Sequence, residues 1–113
     1  MDSVFIEDGY SREVTIPEAP GLYPALSVRY RPALAAERYD YLRAQDVNGR
    51  EQAARVARLL KRHLESWDAR RRDGTAVEVS EEALARLQPQ LLARLLDIVL
   101  GYAAAEETAD AKN

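Results

Sequence analysis

The sequence contains no cysteine, and it has only one histidine, one tryptophan, one phenylalanine and one methionine among 113 residues. Without cysteine, the chain has no disulfide framework, no thiolate zinc site and no cysteine nucleophile. Its apolar runs are far shorter than the roughly 20 residues that cross a bilayer. Its first residues lack the basic start and the apolar segment of a signal peptide. We therefore expect a soluble, cytoplasmic protein with no membrane partner.

Residues that carry out chemistry are also scarce. The five glycines are isolated from one another, so no phosphate-binding loop is present. The single histidine, His63, lies between Arg62 and Leu64, without a nucleophile or carboxylate beside it in the sequence. We interpret it as a partly buried structural residue. No set of side chains has the spacing of metal ligands. We therefore expect neither an enzyme nor a cofactor or metal site.

Charge is unevenly distributed along a chain whose net charge is −3. Residues 50–72 contain eight basic and three acidic residues, whereas residues 73–113 contain three basic and eight acidic residues. Such a dipolar chain could associate with copies of itself or with a charged partner, although a solvated surface also explains the pattern. The basic stretch leaves nucleic-acid binding open, but the overall acidity and the lack of a helix-turn-helix signature count against it.

The N-terminal third has the signals of β-structure. Asp8-Gly9 is a tight-turn signal between two short runs. Apolar residues alternate with polar ones across residues 10–16 and again across residues 26–30. A loop with three prolines, 17–24, separates them. We predict an antiparallel meander of about three strands, with Phe5 joining the buried face through the Asp8-Gly9 turn.

After Pro32 the pattern changes to helical spacing, which predicts an α+β fold in which the small β meander is followed by four helices. Ser80 is a natural N-cap, Pro89 suits a first helical turn, and Gly101 suits a helix end. Residues 46–49 break the helical pattern. We predict one domain over residues 1–105 and a flexible polar tail over 106–113. The predicted helices span 33–45, 51–67, 81–87 and 89–101.

The second predicted helix is amphipathic. Leu60, Leu64 and Trp67 fall on one stripe, so Trp67 is predicted to be mostly buried and to anchor this helix. The opposite face is basic and is a candidate protein-binding surface, formed by Arg55, Arg58 and Arg62.

The last predicted helix has an apolar stripe about 160° wide, broader than one packing partner usually covers. We predict that its outer part binds a partner protein or a second copy of the chain, giving a homo-oligomer. The alternative is that the whole stripe belongs to the core. The candidate binding residues are Leu92, Leu96 and Val99.

A series of short motifs extends from His63 to Leu92. A helix ending in Trp67-Asp68 is followed by a turn at Asp73-Gly74, a short apolar segment, and a Ser80-capped helix that steps through Pro89 into a Leu-rich helix. Together with the strand and helix upstream, this order resembles the tail assembly chaperones of long-tailed, siphophage-type bacteriophages and prophages over roughly residues 13–102.

The resemblance implies a non-catalytic protein of the bacterial host cytoplasm. Members of that family bind the aggregation-prone tape measure protein and help recruit tail tube subunits before the tail polymerises. Two alternatives remain open at this point. One is a structural head–tail joining or tail-completion protein, and the other is a small nucleic-acid-binding regulator.

Overall fold

The computed structural model describes residues 4–43 and 49–102, and within them three strands and four helices form an α+β fold. Of the predicted break, 46–49, only Gly49 is described, and it is the first residue of the second helix and not part of a break. The predicted tail, 106–113, lies outside the described residues. In chain order the elements are β1 (Arg12–Ile16), β2 (Leu26–Tyr30), α1 (Ala35–Arg43), α2 (Gly49–His63), β3 (Leu64–Trp67), α3 (Glu81–Ala85) and α4 (Pro89–Leu100).

The sheet is antiparallel, with the strand order β1-β2-β3. Val14 is opposite Val28 and Ile16 is opposite Leu26, and all four are buried. The exposed face is polar, with Thr15 bonded to Ser27 through their hydroxyls. The predicted alternation is therefore confirmed for Arg12–Ile16 and Leu26–Tyr30, and so is the α+β class. Tyr10, predicted to begin the first strand, lies before β1 and is 42% exposed.

The third strand, however, comes from a different part of the chain than predicted. The Asp8-Gly9 turn forms, since the Tyr10 N–H donates to the Glu7 carbonyl at 2.9 Å and Gly9 has φ +80°. Of the residues before it, the described ones, 4–7, do not form a strand, and Phe5 is 72% exposed rather than part of the sheet face. The sheet is instead completed by β3, which had been predicted as the end of a helix.

A bulge explains why β3 has helix-like spacing. Leu64 is opposite Tyr30 and Trp67 is opposite Val28, with a register shift between these two pairs. The extra residue in β3 places Leu64 and Trp67, three positions apart, on the same side of the sheet. Spacing of three therefore fits either a helix or a bulged strand. Here pairing with β2 decides between them.

The local signals for helix ends are confirmed. The Ser80 hydroxyl accepts a hydrogen bond from the Ala83 N–H at 3.0 Å, as an N-cap does. Pro89 is the first residue of α4, and Gly101 ends it in the left-handed conformation, with φ +93°.

The core lies between the inner face of the sheet and the helices. Helix α2 is central, because it packs against β3, α3 and α4. Helix α1 is tied to the end of α4 by the Ala33 N–H, which donates to the Val99 carbonyl at 2.9 Å. The largest fully buried side chains come from both layers: Ile16, Tyr30, Leu60, Leu84, Leu95, Ile98 and Val99.

Candidate binding surfaces

The predicted surface on α4 is only partly accessible. Val99 is 1% exposed and belongs to the core, so it cannot contact a partner without unfolding of the domain. It belongs to the same buried cluster as Tyr41 of α1, and its carbonyl accepts the Ala33 N–H just before α1, so the domain itself fills this part of the α4 stripe. Leu92 and Leu96 are half-buried and pack against the edge of the core. Their role in binding stays a prediction.

The predicted basic face of α2 divides into two parts. Arg55 is half-buried and joins α2 to α1: its guanidinium donates to the Tyr41 carbonyl at 3.0 Å and to the Gln52 side chain at 2.9 Å. Arg58 and Arg62 are exposed. They line an open groove of about 430 Å³ that also contains acidic side chains, so the surface there carries mixed charge.

Trp67 is half-buried and anchors a different part of the chain than predicted. It lies at the end of β3 rather than on α2. Its indole N–H donates to the Val77 carbonyl at 2.6 Å, which attaches the loop after β3 to the sheet. This loop folds back on itself, since Arg70 and Ala76 form an isolated antiparallel bridge.

His63 was predicted to be partly buried; it is almost completely buried and connects three parts of the fold. Its Nδ1 lies 2.8 Å from the Arg31 carbonyl, just after β2, and donates to it. Its Nε2 lies 3.0 Å from Glu37 Oε2 on α1. The other oxygen of Glu37 accepts the Leu34 N–H at 3.0 Å, which caps the start of α1.

The carboxyl group of Glu37 is stabilised in its charged form. Burial alone would raise the pKa of Glu37, but the hydrogen bond from Leu34 and the charge and hydrogen bond of His63 outweigh burial. The net effect is a lowered pKa. The pair is therefore best understood as a structural tie between α1, α2 and the end of β2.

The structure also has an exposed apolar surface that the sequence did not predict. Val4 is 93% exposed and Tyr39 is 61% exposed, and both line an open groove of about 460 Å³ between the N-terminal segment, α1 and the end of α4. A neighbouring groove of about 630 Å³ shares Ile6, Tyr10 and Pro32 with it. We call this the N-terminal apolar surface, formed by Val4, Phe5, Ile6, Tyr10, Leu34 and Tyr39.

One feature of the sequence could have revealed this surface. Val4, Phe5 and Ile6 are three consecutive apolar residues, so they do not alternate as a strand with one buried face requires. Arg38, which lines the same groove as Val4 and Tyr39, stacks its guanidinium 4.0 Å from the centre of the Tyr102 ring.

A fourth open groove, with a volume of about 1060 Å³, lies between the loop after β3 and α3. Half-buried Trp67, Val79 and Leu87 are among its apolar lining residues. Two acidic residues, Glu78 and Glu82, also line it. We call it the arginine groove, because its remaining charged residues are Arg70, Arg71, Arg72 and Arg86.

Within the described residues, no group of three or more histidine, aspartate or glutamate side chains is placed to hold a metal ion. In the same part of the chain, none of the helices combines the length and the apolar character needed to cross a membrane. Comparisons with protein-family models, with curated proteins and with solved structures found no match.

Proposed function

We propose that this protein is a tail assembly chaperone of a long-tailed bacteriophage or prophage. In this role it binds the tape measure protein in the host cytoplasm and assists assembly of the tail tube. The proposal rests on the order of motifs between His63 and Leu92 and on one structural observation, the N-terminal apolar surface. A contiguous exposed apolar surface on a small domain is a typical protein-interaction site.

The chemistry of this surface suits a helical client. Aliphatic and aromatic side chains border a groove whose floor is formed by the end of α4. An amphipathic helix binds such a groove through its apolar face, at positions spaced three and four residues apart. Arg12 and Arg38 line the same groove, and their charges suit the polar flank of an acidic helix. Covering this face of the client would shield it from aggregation.

The test is co-expression with the tape measure reading frame expected next to this gene. We expect the tape measure protein to co-purify with the wild type and to be lost from the Phe5→Asp/Tyr39→Asp variant. The matched control is Leu22→Asp, because Leu22 is 47% exposed but lies outside this surface. Circular dichroism checks that each variant folds. Co-purification that survives the double substitution in a folded protein contradicts the proposal.

A second measurement separates a chaperone from a virion component. A chaperone acts transiently, so we expect the protein to be absent from purified phage particles. Stoichiometric amounts in particles would favour a head–tail joining or tail-completion protein instead.

A further inference from the structure

We propose that this protein associates head to tail with copies of itself, with residues 4–8 of one copy bound in the arginine groove of the next. The inference concerns self-association and does not depend on the identity of the client. Both contacts use residues 4–6, so a second copy and the client would compete for this segment. It is based on two surfaces of the chain that are chemically complementary but lie apart within one molecule.

The groove offers cations above an apolar floor. Among the residues that the structure describes, Arg71, Arg72 and Arg86 form no ion pair within 4.0 Å. Arg70 is held differently, since its guanidinium donates to the Gly74 carbonyl at 2.9 Å. Hydrogen bonds from Thr75, and after them the nearby charge of Arg71, lower the pKa of the Asp73 carboxyl, and Glu78 and Glu82 line the groove as well. Four arginines against these two glutamates leave the groove net positive, which suits an acidic peptide that also carries apolar side chains.

The N-terminal segment has this composition. Val4, Phe5 and Ile6 are exposed, and they are followed by two exposed acids, Glu7 and Asp8. Neither carboxylate forms an ion pair within the described residues, although Lys61 and Arg62 line a groove beside them. Five residues span at most about 17 Å when extended. The apolar residues would contact the floor of the groove, and the acids would contact its arginines.

Within one copy the grooves beside the N-terminal segment and the arginine groove share no lining residue, so the groove of each copy is open to the segment of another. The N-terminal segment lies beside Arg31 and His63, where β3 begins. The arginine groove begins at Trp67, where β3 ends. The two surfaces are thus at opposite ends of this strand. A contact between different surfaces of identical chains is heterologous, and it extends into longer assemblies unless it closes into a ring.

Two charge-reversal variants test the proposal on the full chain. The groove variant is Arg71→Glu/Arg72→Glu, and the segment variant is Glu7→Lys/Asp8→Lys. Sedimentation velocity across a concentration series measures association. We expect the wild type to form assemblies that weaken with salt, and each variant alone to associate at least about tenfold more weakly.

Mixing the two variants gives the decisive result. In the equimolar mixture the native segment of the groove variant meets the native groove of the segment variant, and the reversed segment meets a reversed groove of opposite charge. Association should therefore return and can extend beyond two chains. It should change the emission of Trp67, the only tryptophan, which lines the groove. The control variant Arg43→Glu/Arg50→Glu reverses two exposed arginines that lie outside both surfaces and should assemble like the wild type.

Three results would overturn the proposal. The first is a wild-type protein that stays monomeric throughout the series. The second is a symmetric dimer that neither variant weakens and the mixture does not restore. The third is a groove that binds duplex DNA, seen as a salt-sensitive change in Trp67 emission, in a protein that does not self-associate.

Discussion

Replacing His63 with alanine should destabilise the domain by about 3 kcal/mol. The ring is buried and bonds to two different elements, the Arg31 carbonyl and the Glu37 carboxylate. Each hydrogen bond contributes roughly 1 kcal/mol net, and more where one partner is charged. Removing the ring also leaves a cavity and deprives the Arg31 carbonyl of its partner, which adds a cost of similar size.

Urea unfolding followed by Trp67 fluorescence measures this loss, and a double-mutant cycle assigns it. The cycle combines His63→Ala with Glu37→Ala. Glu37→Ala also removes the hydrogen bond that caps α1, whether or not His63 is present, so this loss cancels in the coupling free energy. We expect a coupling free energy of about 1–2 kcal/mol between the two side chains. A coupling near zero would show that the contact contributes nothing to stability and would refute the role given to this pair.

Three further predictions concern the same core and its edge. Trp67→Phe should cost about 1 kcal/mol by removing the hydrogen bond to Val77, and Trp67→Ala about 3 kcal/mol, both measured by circular dichroism during urea unfolding. Charged substitutions at Leu92 and Leu96 should leave the fold intact and weaken tape measure co-purification if α4 contributes to binding; unfolding would instead assign both leucines to the core. Because the folded-state pKa of Glu37 is lowered, its contribution to stability is present above the ordinary pKa of a glutamate and is lost as pH falls through the folded value. Glu37→Gln should therefore flatten the acid side of the stability profile, and an unchanged profile would contradict this assignment.

The features that short-range physics controls were predictable from the sequence. β1 and β2 alternate over five residues each, so one buried face fixes their register. Ser80, Pro89 and Gly101 act on backbone groups within a few residues of themselves, and each has its predicted place. Signals of this kind do not depend on the rest of the fold.

The features that depend on distant partners were not predictable. Leu64 and Trp67 continue the spacing of α2, and only pairing with β2 makes them a bulged strand. Arg55 was predicted on a binding face, but its guanidinium is bonded to the carbonyl of Tyr41 on α1. Phe5 was predicted to lie on the sheet because the Asp8-Gly9 turn would fold its segment back against β1. The turn does form, but the segment does not pair with β1. In each case a tertiary contact decides between two locally reasonable structures.

The position of β3 also determines when the sheet can form during synthesis. Tyr30 pairs with Leu64, 34 positions later. At bacterial and eukaryotic elongation rates this interval corresponds to roughly 2–7 s. During that time one edge of β2 has no partner, and an unpaired strand edge readily recruits other chains. Nascent chains interrupted before residue 64 should therefore aggregate. Chains that extend past β3 can pair the free edge of β2 with their own third strand.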